Sequence, residues 1–359
     1  MATVRRILWT VAFALAVLMA TAGPASAHSV AGVGGTNYRT TVHGVSPRVD
    51  GLVVRSIETG SRLELVNKTG QTVVVLGYEK EPYLRIDRRG VFENVRSPAT
   101  YLNANRRGDT PIPGTASKDA PPQWKQISSG NTARWHDHRI HWMGNQDPPE
   151  VRRDRSRSHV VNPEWVVALE VGDQPTAVRV TGELVWVPPP PLWPWLLGAV
   201  VLLGLVALGA AGGGWRSVLV AAVVVLVAAD VVHELGIAFA NAGGLGNKLA
   251  QLLAGSFFPM VAWVLSVWAV RALLKGSAEG PFIAAFAGVI IALFGGVADV
   301  AALVNSQVPF VWSATLARLL VTVSLGIGLG LVAGAVIATA KFKLLAVEDD
   351  EDEAAQALR

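Results

Sequence analysis

Pro188-Pro189-Pro190-Pro191-Leu192-Trp193-Pro194-Trp195 divides the chain into two chemically different halves. A proline run has a fixed φ and no amide donors, so residues 188–195 form a stiff linker rather than a strand or a helix. The tryptophans that close it suit a membrane–water interface. Five apolar stretches follow: Leu192–Gly212, Val218–Ala240, Leu249–Leu274, Phe282–Val304 and Phe310–Ala340. Each is long enough to cross a bilayer, which takes about 20 apolar residues. Residues 192–340 are therefore expected to be a five-span transmembrane domain.

The charges between the spans give a sidedness. With the first half outside, the inner loops carry Arg216, then Arg271 and Lys275, then Lys341 and Lys343, while the outer loops carry Lys248. This arrangement satisfies the positive-inside rule in every loop. It places the acidic tail, 341–359, in the cytoplasm, where Glu348–Glu353 is too charged to fold.

Working back from the collar, the first half is polar and rich in turns. At its start, Arg5 and Arg6 precede the apolar run Ile7–Ala20, and Ala25-Ser26-Ala27 supplies a small-residue cleavage site. Residues 1–27 thus read as a signal peptide whose removal makes His28 the first residue. Residues 28–187 are then extracytoplasmic. Leu52–Ile57, Arg62–Val66 and Thr72–Leu76 are short β-branched runs separated by Thr59-Gly60 and Lys68-Thr69-Gly70. Further strands are expected at Thr132–His138, Val166–Val171 and Thr176–Val187, with a long loop over Ser97–Pro122. Runs at this spacing suggest an antiparallel β-sandwich of cupredoxin or immunoglobulin type. The fold class expected is such a sandwich followed by a five-helix membrane bundle.

Composition agrees with a membrane protein: hydrophobic residues are 51% and charged residues 16% of 359. The net charge of +4 comes without a nucleic-acid motif, so no nucleic-acid partner is expected. There is no cysteine, which excludes disulfides, zinc–thiolate sites and a cysteine-ligated blue-copper centre.

Any transition metal must then be held by nitrogen, oxygen or a thioether, and the segment Trp135-His136-Asp137-His138-Arg139-Ile140-His141-Trp142-Met143 is where such donors gather. On a strand, His136 and His138 share a face and Asp137 points away. A processed His28 adds an imidazole and an α-amino nitrogen whose ordinary pKa is near 8. Such a nitrogen-rich set suits Cu(II). His141 is out of phase with the other two unless the strand ends near Ile140. His141 and Met143 are further candidate ligands, and Trp135 and Trp142 candidate walls. His43 and His159 are isolated. The same residues also fit three histidines on an exposed strand edge of a metal-free structural or sensory envelope protein.

The His28 start and Trp135-His136-Asp137-His138 resemble the copper site in the cupredoxin-like domain of particulate methane and ammonia monooxygenases. The N-terminal histidine also resembles that of periplasmic copper-resistance proteins, and the overall layout resembles actinobacterial envelope membrane proteins. The monooxygenase resemblance implies His28, His136 and His138 as copper ligands. It covers the motif and extends at most to the sandwich around it, not to the five-span half, and a copper-dependent oxidase or monooxygenase subunit is the enzyme alternative it brings. The lack of an obvious second acid–base group argues against an enzyme.

The membrane half carries Asp230, His233 and Glu234 in the second stretch, Asp299 in the fourth and Arg318 in the fifth. Positions i, i+3 and i+4 share a helical face, and ionisable residues inside a bilayer face the bundle interior. Two readings stand: an ion or proton path, or a packing device in which Arg318 neutralises Asp230 or Asp299. The function expected is extracytoplasmic copper binding for capture, delivery or transport, with the copper ion, the lipid bilayer and other membrane proteins as partners.

Overall fold

A computed structural model describes residues 34–172, 177–342 and 344. The expected signal peptide, His28 and the acidic tail from Glu348 lie outside the described residues. The chain divides into a β-rich unit, Gly35–Pro189 with Asn305–Pro309, and a helical unit, Pro190–Val304 with the chain from Phe310.

The β-rich unit has ten strands among the described residues: β1 (Tyr38–Ser46), β2 (Leu52–Ile57), β3 (Arg62–Asn67), β4 (Val73–Leu76), β5 (Pro82–Asp87), β6 (Gly90–Asn94), β7 (Trp124–Ser128), β8 (Thr132–His136), β9 (His159–Val171) and β10 (Val178–Trp186). They form a seven-stranded sheet in the order β1-β10-β9-β4-β5-β6-β7 and a three-stranded sheet in the order β2-β3-β8. Every pairing is antiparallel. Leu63 and Leu65 of β3 and Ala133 and Trp135 of β8 join Val75, Ile86, Val167, Leu169 and Val180 of the larger sheet in one buried cluster. Each large aliphatic side chain buried this way contributes about 1.5–3 kcal/mol.

Alternation puts polar residues on the other face of the small sheet. Glu64 of β3 is directly opposite Arg55 on β2 and Arg134 on β8. Its carboxylate is buried and receives Arg55 Nη2 at 2.6 Å and Arg134 Nε at 2.6 Å.

Two short helices, α1 (Pro98–Leu102) and α2 (Pro149–Arg153), interrupt the loops. Ser97 starts α1 by accepting a hydrogen bond from the Ala99 amide. The segment Asn305–Pro309, which falls between two membrane-type helices in sequence, belongs to the β-rich unit. Thr36 and Gln307 exchange backbone hydrogen bonds at 2.9 Å.

In the helical unit the chain forms α3 (Trp193–Ala210), α4 (Trp215–Ala240), α5 (Leu245–Gly255), α6 (Phe257–Lys275), α7 (Gly280–Ile291), α8 (Ala301–Val304) and α9 (Ala314–Lys341). Five helical spans among the described residues, Trp193–Ala210, Trp215–Ala240, Phe257–Lys275, Gly280–Val304 and Ala314–Lys341, are long and apolar enough to cross a membrane. The protein is therefore a multi-pass membrane protein of the lipid bilayer.

The third span begins at Phe257, not Leu249. Pro259 explains the break, because its ring would clash with the carbonyl four residues back, at Gly255, where α5 ends. Between α7 and α8 the fourth span widens into a π-helix over Ala292–Val297, with Ala298 N bonded to Leu293 O at 2.9 Å. Helices approach closely through glycine. A Cβ on Gly326 would lie 2.6 Å from the Ala199 carbonyl, and one on Gly328 2.6 Å from the Gly288 carbonyl.

Candidate functional site

The Trp135–Met143 segment is not one continuous strand. β8 ends at His136, and Asp137 folds the chain into a turn in which the Ile140 amide bonds the Asp137 carbonyl at 3.2 Å. The Asp137 side chain is fully buried. It accepts Trp135 Nε1 at 2.9 Å, the Arg139 amide at 3.1 Å, Arg139 Nε at 2.7 Å and Arg139 Nη2 at 2.7 Å. Asp137 thus binds Trp135 and Arg139 and organises the turn.

That turn separates the fates of the histidines. His136 faces the same side of the small sheet as Glu64. It is paired in register with Arg62, whose Nε donates to His136 Nε2 at 3.1 Å. His136 Nδ1 lies 3.0 Å from the Ser61 carbonyl, to which it donates in the tautomer that this pairing requires. Both ring nitrogens are engaged. Burial, then the Arg62 guanidinium, hold this imidazole below the ordinary histidine value.

His138 lies beyond the strand, in the turn. Its amide donates to the Tyr78 hydroxyl at 3.0 Å, and its Nε2 lies 3.1 Å from the Asn105 carbonyl. The loop supplying that carbonyl is pinned by the Asn105 side chain, whose Oδ1 accepts the Arg107 and Gly108 amides at 2.9 Å. Gly108 is left-handed (φ 68°), and a Cβ there would lie 2.5 Å from His138 Cε1. Only a glycine lets this loop close over the imidazole. Donation from Nε2 leaves the Nδ1 lone pair of His138 for another partner.

His141 completes the arrangement. Its ring meets that of His138 edge to face, with centroids 5.3 Å apart. It is 7% exposed, and its Nε2 is buried with no hydrogen-bond partner among the described residues. Burial pushes its pKa down to about 4, so the ring is neutral at physiological pH with a lone pair available. β8 ends at His136, earlier than expected, and the turn after it, not a shared strand face, brings His141 to His138.

The other candidates sit elsewhere. Met143 is exposed. Trp135 is in the sheet core, and Trp142 stacks on Tyr38 at 6.5 Å and donates Nε1 to the Gln146 carbonyl. No group of three or more His, Asp or Glu side chains among the described residues is arranged to hold a metal ion. What the described residues bring together is a pair of imidazoles, His138 with His141. This fits a nitrogen-ligated metal only with donors from outside it. The contributions of Arg62, Asn105 and Gly108 were not legible in the sequence. The only signal was the Pro-, Gly-, Asn- and Ser-rich character of residues 97–122.

In the helical unit Asp230, His233 and Glu234 are buried on one face of α4. Trp263 Nε1 donates to Asp230 Oδ2 at 2.7 Å, His233 Nε2 lies 2.9 Å from Asp299 Oδ2, and the Ser256 hydroxyl donates to Glu234. Arg318 Nε donates to the Ala302 carbonyl at 3.0 Å. Comparison with family models, curated proteins and solved structures finds no match. The functional reading therefore rests on these residues.

Proposed function

We propose that this chain is a multi-pass membrane protein whose β-rich unit is an extracytoplasmic sandwich that binds copper and handles it by capture, delivery or transfer. His138 and His141 are the resident ligands in this reading. The amine and imidazole of a processed His28 complete the set, and His136 stands behind them, held by Arg62. The observation that carries it is the His138–His141 pair, with a buried and unpartnered Nε2 on His141. A buried imidazole nitrogen without a partner costs on the order of 1–3 kcal/mol, which a metal bond would offset. Nitrogen donors without a thiolate favour Cu(II) over the other first-row ions.

The experiment compares the full-length protein with a free His28 amine against the same chain carrying one extra residue before His28. Each is titrated with Cu(II). The reading expects tight one-to-one binding that weakens strongly in the extended chain. Equal binding by both removes the amine from the ligand set.

A metal-free reading has its own support: both nitrogens of His136 and the Nε2 of His138 already have protein partners. It expects no stoichiometric copper in either protein.

A further inference from the structure

The helical unit gathers a second set of ionisable groups. Asp230, His233 and Glu234 are each at most 2% exposed. His233 stacks on Phe310 with centroids 5.9 Å apart, and its Nδ1 is buried with no hydrogen-bond partner among the described residues. Asp230 packs against bare backbone: a Cβ on Gly295 would lie 2.5 Å from Asp230 Oδ1. Gly295 belongs to the π-helical turn, and its missing Cβ leaves room for this carboxyl.

The surrounding charges can be followed element by element. Asp230 and Glu234 flank His233 on α4, Asp299 approaches from the fourth span, and Arg318 of α9 is bonded to the Ala302 carbonyl. Against Asp230 and Glu234, α6 and the residue before it supply the neutral donors Trp263 and Ser256. Lys248 of α5 lies over the Phe239 ring at 5.3 Å. Three carboxyls and one imidazole, with the Arg318 guanidinium bonded at Ala302, are thus gathered among the spans.

The cluster lies toward one end of its span. Glu234 is six residues from the end of α4, roughly 9 Å at 1.5 Å per residue. At that end α5 turns Leu245, Leu249 and Leu253 outward, while Lys248 and Gln251 on its other side are half-covered.

We propose that Asp230, His233, Glu234 and Asp299 form a proton-exchanging site inside the membrane half, reached from the face where α4 ends. The ligand is the proton, and His233 is the group that passes it, with Nε2 on Asp299 and Nδ1 available on the other side of the ring. The step is a proton transfer between a carboxyl and an imidazole, with no other bond made or broken. The proposal does not depend on copper binding by the β-rich unit.

The test uses the full-length protein with ¹⁵N-labelled histidine in lipid bilayers, followed by solid-state NMR between about pH 5 and 8, where imidazoles change charge. The His233 signals are those absent from His233→Gln. Should that variant not accumulate, the signals that move in Asp299→Asn identify the ring. A change of His233 protonation state within this range, with a midpoint displaced by about one pH unit in Asp299→Asn, is the result expected. A His233 ring that keeps one protonation state throughout would overturn the proposal and leave the cluster as a fixed packing device.

Discussion

His138 and His141 meet edge to face, with ring centroids 5.3 Å apart, because Asp137 folds the chain between them. The carboxylate accepts Trp135, the Arg139 amide and the Arg139 guanidinium while fully buried. Removing one partner of a buried ion pair leaves the other uncompensated and costs about 3–5 kcal/mol. Asp137→Ala is expected to lower stability by that amount and to separate the two imidazoles. Thermal unfolding of the full chain in detergent checks the first effect and copper titration the second.

Arg62 sets a different expectation for His136. Its Nε occupies the His136 Nε2 lone pair at 3.1 Å. His136→Ala should therefore leave copper affinity within a few-fold of the parent, whereas His141→Ala should lower it at least tenfold. Competition titrations against a chelator of known affinity measure both. A larger loss in His136→Ala than in His141→Ala would restore the ligand set expected from the sequence motif alone.

Acid should act through His141. Its folded pKa is about 4, against an ordinary histidine value of 6.5. As pH falls from 6.5 towards 4, the unfolded chain takes up a proton that the folded state refuses, so the equilibrium moves toward unfolding. The stability is fully present above pH 6.5, and on the order of 3 kcal/mol is lost across the window. Burial lowers His136 in the same direction. His141→Phe should flatten this part of the profile when unfolding temperature is measured against pH.

The helix contacts predict a steric effect. Gly288 and Gly328 face each other so closely that a Cβ on either would lie within 2.7 Å of the other's carbonyl. Gly328→Val should force α7 and α9 apart and reduce the amount of folded protein recovered from membranes. Gly204→Val, at a position where a Cβ meets nothing within 4 Å, should not. Comparing yields by size-exclusion chromatography tests the pair.

The sequence carried the membrane half well, because apolar length is a local property. Its boundaries failed where one residue redirects the backbone, as Pro259 does by separating α5 from the third span. In the β-rich unit the runs starting at Leu52, Arg62 and Thr72 read correctly as strands, the last starting one residue later, at Val73. β1, β5, β6 and β7 were missed because Gly44, Pro82, Gly90 and the polar Lys125 and Gln126 interrupt the apolar alternation on which such a reading depends. The candidate site was legible as a group of histidines but not as a geometry. The partner of His136 depends on the Arg62–His136 register, a contact 74 residues apart in sequence. The approach of His141 depends on a turn that a side chain, not a glycine or proline signal, creates.

The central claim is that His138 and His141 are ligands of one copper ion. Pulsed electron paramagnetic resonance of the Cu(II)-loaded full chain counts the coordinated imidazoles directly. The account predicts that the count falls by one in His138→Ala and by one in His141→Ala, and is unchanged in His136→Ala. An unchanged spectrum and stoichiometry in the His138→Ala/His141→Ala double variant would contradict it.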